Sequence, residues 1–303
     1  MKIIETKNLS WIDIINPANK DVLYLHKKFN FHPFILKSVI PHIRHPRFEN
    51  YGNYSFLVLH YPYFHKKKKE TQARELDILF TKNTIITVHY ENIEPLQSFF
   101  TKLSLYEKER EEFTDEGVGE LLYRILNNVL RDAFPKLDHI DEKIDEIEKK
   151  IFKGSQKEMI ENISEVKHDL INFQRIIQPQ ITVFENLKKS ATKFFGEHYY
   201  PYYNELYNCF STIKEVLQTH HKTLNELEAT NSNLLSIKTN EIIKVLTVFT
   251  VIITPLALVA NFFGMNTSMP FENFKYDFWI VVALSLVLFF LMICYARKKG
   301  WLK

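Results

Sequence analysis

Residues 245–271 read VLTVFTVIITPLALVANFFGMNTSMPF, and this stretch decides how the rest of the chain is interpreted. It contains no charged residue. Its apolar part is long enough to cross a hydrocarbon core of about 30 Å as a helix, which takes about 20 residues. We therefore predict a first transmembrane span over about 245–265. A second uncharged stretch, residues 278–296, predicts a second span after a short loop, residues 266–277.

The first span and the helix leading into it carry a polar stripe. Its members recur at steps of three and four and therefore share one helix face: Asn240, Thr247, Thr250, Thr254, Ala257 and Asn261. Because lipid offers such groups no hydrogen-bond partner, the stripe must face protein or water. If it faces water, several copies of the chain must close a ring around it. If it faces protein, these groups hold helices together, or the threonine hydroxyls bond to their own backbone.

The end of the stretch resembles the Gly-Met-Asn signature of the CorA family of divalent-cation (magnesium) channels. The signature residues are Gly264, Met265 and Asn266, with Phe262-Phe263 before them and Met269-Pro270 after them. The likeness continues upstream, without a gap, through Thr239-Asn240-Glu241, Lys244-Val245-Leu246-Thr247 and Pro255. It extends to the two closely spaced C-terminal spans and to the basic terminal residues.

The resemblance implies a permeation path. Gly264, Met265 and Asn266 would form the outer mouth, where a hydrated cation docks. Mg²⁺ gives up its water reluctantly, so neutral amide and carbonyl oxygens that bond to its hydration shell suit it well. Below the mouth the polar stripe would line the pore, and Ile243 with Leu246 would form an apolar constriction that gates by expelling water. The structural alternative is that Gly264 is a helix C-cap and Asn266 a turn residue.

Regulation is where the match to the family weakens. Relatives close on cytosolic Mg²⁺ that carboxylates bind between subunits. The carboxylate on the long helix corresponds to Glu205, and we take Glu205 with Asn208 as candidate ligands of a regulatory metal. The family's Leu-Glu-Asp corresponds to Leu36-Lys37-Ser38, where an ammonium would repel a bound dication. We therefore predict that this sensor pair is absent or rearranged.

Composition and motifs exclude several other classes of protein. The 303 residues carry a formal net charge of only +3, which gives no support to nucleic-acid binding. The sequence has no GxSxG, HExxH or P-loop motif, so we do not expect an enzyme. The histidine pairs His42/His45 and His220/His221 have no cysteine close in sequence, and we do not expect a structural zinc site.

Basic residues predict the orientation in the membrane. Lys238 and Lys244 precede the first span, and Arg297, Lys298, Lys299 and Lys303 follow the second. The intervening loop carries only Glu272, Lys275 and Asp277. By the positive-inside rule both termini are cytoplasmic. The N-terminus lacks the unbroken apolar run of a signal peptide, so we expect a multi-pass protein of the cell inner (plasma) membrane.

The rest of the chain is predicted to be cytoplasmic. Residues 1–116 mix short β-branched runs with turn residues and predict an α/β domain, with Lys66 to Lys69 at a hairpin tip. Residues 117–200 predict a helical hairpin, because Leu137, Ile140, Ile144, Ile147 and Ile151 form a heptad seam. Residues 201–265 predict one long stalk helix that includes the first span. Residues 297–303 are a basic tail.

These features predict an α+β membrane protein, and the resemblance implies a homopentamer. The predicted function is a channel that moves hydrated Mg²⁺, with Co²⁺ or Ni²⁺ as secondary ions, into the cytoplasm down the electrochemical gradient. Its partners would be the lipid bilayer, its own copies and divalent cations, with no nucleic acid. One alternative is a proton-coupled Zn²⁺ transporter of the same superfamily. The other is a membrane-tethered helical scaffold or sensor without transport.

Overall fold

The computed structural model describes residues 1–40, 45–265 and 276–301, without the side chains of Ser38 and Asp277. The chain divides into two compact units, Met1–Glu228 and Ala229–Lys303. The strands are β1 Lys2–Glu5, β2 Ser10–Ile15, β3 Arg47–Asn50, β4 Ser55–His65, β5 Glu70–Phe80 and β6 Thr84–His89. The helices are α1 Asn19–Phe29, α2 Pro33–Ser38, α3 Glu94–Leu105, α4 Glu107–Thr114, α5 Val118–Arg131, α6 Phe134–Phe152, α7 Gln156–Ile177, α8 Ile181–Phe195, α9 Tyr200–Phe263 and α10 Asp277–Lys298.

The six strands form one mixed sheet in the order β1-β2-β6-β5-β4-β3. The pairing of β2 with β6 is parallel, and the other neighbours are antiparallel. The longest pairing joins β4 to β5, and the turn between them is Lys66 to Lys69, as predicted. Helices α1 and α2 begin at Asn19 and Pro33, and the His32 ring nitrogen caps α2 by accepting from the N–H of Phe34.

Helices cover both faces of the sheet. One face forms a core with α1 and α2, in which Leu25, Phe31 and Ile35 pack on Val58, Leu79 and Val88. The opposite face carries Trp11, whose ring lies 4.8 Å from that of Phe100 in α3. Asp169 of α7 accepts a hydrogen bond of 2.5 Å from the backbone of Thr71 in β5. The sheet therefore anchors the helical part of Met1–Glu228.

Residues 117–200, predicted as one helical hairpin, hold the four helices α5 to α8, and within them α6 and α7 pack as a hairpin. All five seam residues of α6 are buried, each at most 3% exposed: Leu137, Ile140, Ile144, Ile147 and Ile151. They pack against α7, whose Met159, Ile163 and Val166 are also buried. A heptad seam buries one apolar face against one neighbouring helix, which is the arrangement observed.

The long helix α9 has 64 residues and contains Pro255 within its length rather than at its end. Its C-terminal part and α10 are both long and apolar enough to cross a membrane, with mean hydropathies of 2.4 and 2.7 over their most apolar windows. These are the two spans that the sequence predicts. Of the loop predicted over 266–277, residues 266–275 lie outside the described residues.

Candidate permeation helix

The apolar part of α9 packs against α10 along one face. Val248 is 3% exposed and Ile252 8% exposed, and both contact a cluster on α10 that contains Phe289, Met292, Ile293 and Ala296. Lys244 at the start of the first span donates a hydrogen bond of 3.2 Å to the carbonyl oxygen of Gly300, just after the second. The two helices therefore run antiparallel, with these two ends on the same side.

The polar stripe lies on the other side of the helix. At about 100° per residue, the mean direction of the stripe differs by roughly 150° from that of Val248 and Ile252. All of its members are exposed within the single chain: Asn240, Thr247, Thr250, Thr254, Ala257 and Asn261. The stripe therefore does not hold α9 to α10. The interpretation that these groups join the two spans of one chain is excluded. The polar atoms of the stripe are available to water or to another copy of the chain.

The threonine hydroxyls of the stripe have a common geometry. Thr247, Thr250 and Thr254 donate hydrogen bonds of 2.8, 2.9 and 2.7 Å to the carbonyl oxygens of Ile243, Leu246 and Thr250. This is the back-bonding that the sequence left open as an alternative to a pore. The two interpretations are compatible. Because each hydroxyl hydrogen is bonded to the backbone, the oxygen presents lone pairs outward, and it can accept from the water shell of a cation.

Pro255 follows directly after the last of these threonines. It has no N–H, so the carbonyl oxygen at Val251 loses the donor that a regular helix would provide. The Thr254 hydroxyl bonds to the preceding carbonyl, that of Thr250. Helix α9 continues through this position to Phe263. The side-chain hydrogen bond thus supplements the backbone where proline weakens it.

The predicted gate residues are strongly exposed in the single chain. Ile243 is 54% and Leu246 65% exposed. They lie on the same side of α9 as the polar stripe, since they are three or four residues from Thr247 and Thr250. An apolar pair at this exposure, with polar residues on both sides of it along the helix, has the composition of a hydrophobic constriction. The assignment as a gate stays a prediction.

The start of the predicted outer mouth follows α9 directly. The N–H of Gly264 donates to the carbonyl oxygen of Ala260 over 3.0 Å, so Gly264 continues the last turn of the helix. A Cβ at this position would lie 3.2 Å from that same carbonyl oxygen, which is tighter than ordinary packing. Met265 is 54% exposed. Asn266, Met269, Pro270 and Glu272 lie outside the described residues, so the mouth is described only at its first two positions.

The candidate regulatory ligand Glu205 already has partners within its own chain. Tyr123 donates a hydrogen bond of 2.7 Å to its Oε2, and the Arg131 guanidinium lies 3.3 Å from its Oε1. Burial, and then the hydrogen bond to Glu205, raise the pKa of Tyr123 to about 12, so the phenol stays a donor at neutral pH. Among the described residues no group of three or more His, Cys, Asp and Glu side chains could hold a metal ion.

Sequence reasoning did not identify Tyr123 and Arg131 as partners of Glu205. They lie 82 and 74 residues before it, and no local pattern links residues so far apart. Asn208, the second candidate ligand, accepts a hydrogen bond from Thr212 at its backbone oxygen. Lys37 of α2 is exposed. Of the histidines weighed for zinc, His220 lies 3.5 Å from Asp141, and His42 lies outside the described residues.

Known proteins share both the sequence pattern and the fold. A family model described as "CorA-like Mg2+ transporter protein" matches residues 6–298. The cobalt/magnesium transport protein CorA of Thermotoga maritima is 26% identical over 300 residues, covering 97% of this chain and 83% of the relative. The protein of the same name from Methanocaldococcus jannaschii is 26% identical over 299 residues, covering 98% and 93%.

A solved structure gives the same result for the whole fold. The complete structure of the CorA magnesium transporter from Methanocaldococcus jannaschii matches with a TM-score of 0.85 at 25% identity, covering 99% of this chain and 93% of that one. The predicted fold class, an N-terminal α/β domain with a long helix and two apolar C-terminal helices, is thereby confirmed. The family match spans nearly the whole sequence, and the chain therefore belongs to the CorA-like Mg²⁺ transporter family, whose members are membrane transporters and not enzymes.

Proposed function

We propose that this chain forms a homo-oligomeric channel that carries hydrated Mg²⁺ into the cytoplasm. The observation that supports this most is the exposed polar stripe on the side of α9 away from α10. A single chain leaves these groups without protein around them, and lipid cannot bond to them. Identical copies arranged in a ring would turn every stripe toward one water-filled axis. The family resemblance implies five copies.

The chemistry of the stripe suits a dication that keeps its water. Threonine oxygens with their hydrogens bonded to the backbone accept hydrogen bonds from the hydration shell. Asn240 and Asn261 add amide oxygens near the two ends of the stripe. The stripe has no carboxylate, so nothing in it would hold a dehydrated Mg²⁺ tightly enough to stop its passage. Co²⁺ and Ni²⁺ are proposed as secondary ions, and the two CorA relatives above are named for cobalt and magnesium transport.

The membrane potential provides the driving force in this proposal. Basic residues that flank the two spans, including Lys244 and Arg297, support a cytoplasmic position for both termini by the positive-inside rule. Moving two positive charges inward through ~100 mV is worth roughly 4.6 kcal/mol. Inward flux then needs no chemical fuel. Ile243 and Leu246 are proposed to close the path by dewetting, since both are apolar and line the same side of the helix.

Cytosolic regulation is proposed to differ from that of relatives that sense Mg²⁺ with a carboxylate pair. Glu205 is engaged by Tyr123 and Arg131, and Lys37 stands where the resemblance expects an acid. A guanidinium at 3.3 Å offsets the charge that would attract a dication. We therefore propose that Glu205 and Asn208 do not form a Mg²⁺ sensor in this chain.

Uptake into liposomes tests the function. Purified protein is reconstituted with a Mg²⁺-sensitive dye inside, and an inside-negative potential is applied with external Mg²⁺ present. We expect rapid uptake by the native chain and at least a tenfold lower rate for Asn266→Ala. Asn53→Ala, an exposed asparagine in the turn before β4, is the matched control and is expected to keep the native rate.

Two other results would each favour a different function. A folded native protein that conducts no Mg²⁺ favours the membrane-tethered scaffold or sensor. Zn²⁺ uptake that rises with an applied pH gradient, without Mg²⁺ uptake, favours the proton-coupled zinc transporter. Native mass spectrometry of the same preparation gives the copy number, and five times the chain mass of 36.1 kDa is the expected value.

A further inference from the structure

The tip of the α6–α7 hairpin is a basic and apolar surface that permeation does not use. Residues 149–157 read KKIFKGSQK, with four lysines and no acidic residue. All four lysines are exposed, and so are two large apolar side chains, Phe152 at 66% and Ile160 at 55%. We call this surface the tip patch; it consists of Lys149, Lys150, Phe152, Lys153, Lys157 and Ile160.

The charge of the tip patch is not neutralised within the described part of the chain. None of its four lysines forms an ion pair or a side-chain hydrogen bond with a described residue. The nearest acids in sequence, Glu148 and Glu158, lie just outside the run on either side. The tip patch therefore combines two exposed apolar side chains, Phe152 and Ile160, with four unpaired lysines at one end of the hairpin. This is the composition of segments that rest on anionic membranes.

A second group of lysines adjoins the tip patch. The β4–β5 turn holds Lys66, Lys67, Lys68 and Lys69, all exposed. Lys69 forms an ion pair of 3.2 Å with Glu165 of α7. Lys69, Lys143 and Lys150 line one cleft of about 210 Å³, together with Glu146 and Glu165. The two basic turns therefore belong to one continuous surface.

The hairpin has a defined direction within Met1–Glu228. Lys188 of α8 lies 3.4 Å from Asn204, and Lys167 of α7 lies 2.5 Å from Glu228. Helices α7 and α8 therefore run antiparallel to this part of α9. On α6, Asp141 lies 3.5 Å from His220, so residues after Asp141 extend the same way. The tip patch therefore points the way α9 runs within this unit, toward its end at Glu228.

We propose that the tip patch docks on the cytoplasmic leaflet of the membrane. Its lysines would bind the phosphate groups of anionic lipids, and Phe152 would insert among the headgroups. This inference rests on the cytoplasmic orientation given under the proposed function. Each lysine that reaches an anionic surface contributes roughly a fivefold gain in partitioning. Four lysines with one aromatic side chain are enough to hold the hairpin against the bilayer.

Spin-label accessibility in the full-length protein tests the docking. Phe152→Cys is labelled with a nitroxide in a Cys209→Ser, Cys294→Ser background and reconstituted in nanodiscs. The lipids are phosphatidylcholine, with or without phosphatidylglycerol. With phosphatidylglycerol we expect the label to collide with oxygen and to be protected from a water-soluble nickel chelate. A label at Leu105→Cys, 70% exposed at the end of α3, is the water-exposed control.

Charge variants separate lipid docking from simple burial. Replacing Lys149, Lys150, Lys153 and Lys157 with Gln is expected to lower the protected fraction at least tenfold. The matched control replaces Lys7, Lys20, Lys27 and Lys82, four exposed lysines of the α/β part, and is expected to change nothing. A label that stays accessible to nickel in both lipids overturns the proposal. So does equal protection in neutral lipid, which would mean that protein covers the tip patch.

Two further arms complete the test. Inorganic phosphate added without anionic lipid is expected to leave the label in water, and protection by phosphate alone would overturn lipid docking. Mg²⁺ uptake is measured with the same lipids in liposomes. If the tip patch does not dock but the protein still takes up Mg²⁺, only the docking proposal is refuted. If the native protein takes up no Mg²⁺, the proposed function is refuted.

Discussion

The two halves of α9 belong to one helix but are stabilised by different surroundings. Within Met1–Glu228 the helix buries one apolar face in its own chain: Tyr203, Leu206, Phe210, Ile213, Leu217, Leu224 and Leu227. Among the described residues of Ala229–Lys303, the buried apolar side chains of α9 are Val248 and Ile252. Leu217 is 1% exposed, whereas Leu246 is 65% exposed. The first half is stabilised by its own chain, whereas the second leaves most of its apolar surface exposed to whatever surrounds it, which in the proposed channel is lipid and other copies.

The second half of α9 has a polar stripe on one side and apolar side chains on the others. We expect the largest effect on Mg²⁺ uptake from a charge placed on the stripe. Thr250→Lys places an ammonium on the polar stripe, where we expect water to solvate it and the folded protein to be recovered at near-native yield. Mg²⁺ uptake should fall more than a hundredfold, because a ring of ammonium groups repels the dication. The measurement is folded-protein yield together with liposome uptake.

Phe249→Lys is the matched variant one residue away, at a side chain that is 58% exposed. There the ammonium would face lipid, and a lysine at the centre of a span costs about 2.5–3.5 kcal/mol. We expect a strongly reduced yield of folded membrane protein. If Thr250→Lys lowered the yield as much as Phe249→Lys, the polar stripe would face lipid, and the pore interpretation would be wrong.

Because Leu217 is buried and Leu246 is exposed, we expect substitutions at Leu217 to change stability and substitutions at Leu246 to change gating. Leu217→Ala leaves a cavity among buried side chains and is expected to lower the free energy of unfolding by about 2–5 kcal/mol. Leu246→Ala removes an exposed side chain, and we expect a change below about 0.5 kcal/mol. It should instead raise resting Mg²⁺ flux, since a smaller side chain widens the constriction. Thermal unfolding and uptake are measured on both variants, and equal destabilisation would contradict the contrast.

Removing a hydroxyl from the stripe predicts a smaller effect. Thr250→Val keeps the shape of the side chain and deletes one acceptor for the water shell. A single hydrogen bond contributes about 0.5–1.5 kcal/mol, so we expect uptake to fall roughly three- to tenfold. Ser285→Ala is the control, because the Ser285 hydroxyl of α10 makes the same back-bond, 2.9 Å to Val281, away from the stripe. Equal effects of the two variants would point to a general loss of helix stability.

The smallest effect is expected at Glu205 in the cytosolic part. Its ion pair with Arg131 joins side chains that are 49% and 65% exposed, and such pairs contribute about 0–1 kcal/mol. Glu205→Gln and Arg131→Gln should each change stability by no more than that. Both should leave the dependence of flux on internal Mg²⁺ at the native level. Closure by ordinary cytosolic Mg²⁺ that is abolished in Glu205→Ala would show that a sensor is present after all.

Periodic patterns made much of the fold predictable. The seam from Leu137 to Ile151 predicted a buried helix face, and the uncharged stretches at 245–265 and 278–296 predicted both membrane helices. These signals are local, because side chains three or four residues apart share one surface. The β4–β5 hairpin was also predictable from local sequence, since the polar run Lys66 to Lys69 separates two short strand-forming runs.

Contacts between distant residues were not predictable. The parallel pairing of β2 with β6 joins residues about seventy positions apart, and the sequence carries no sign of that register. The same holds for Arg131 and Tyr123 at Glu205, and for the direction of the α6–α7 hairpin, which depends on Lys167 reaching Glu228. At the candidate site, the stripe was predictable from spacing, whereas its position opposite α10 depends on which face Val248 and Ile252 bury.

Thiol accessibility along the first span shows which side of α9 is in contact with water. Single cysteines are placed at Thr250, Thr254, Phe249 and Ile253 in a Cys209→Ser, Cys294→Ser background, and each is treated with a charged, membrane-impermeant thiol reagent in reconstituted protein. We expect rapid modification at 250 and 254, slowed by Mg²⁺, and none at 249 and 253. Modification at 249 and 253 with protection at 250 and 254 would contradict the pore interpretation.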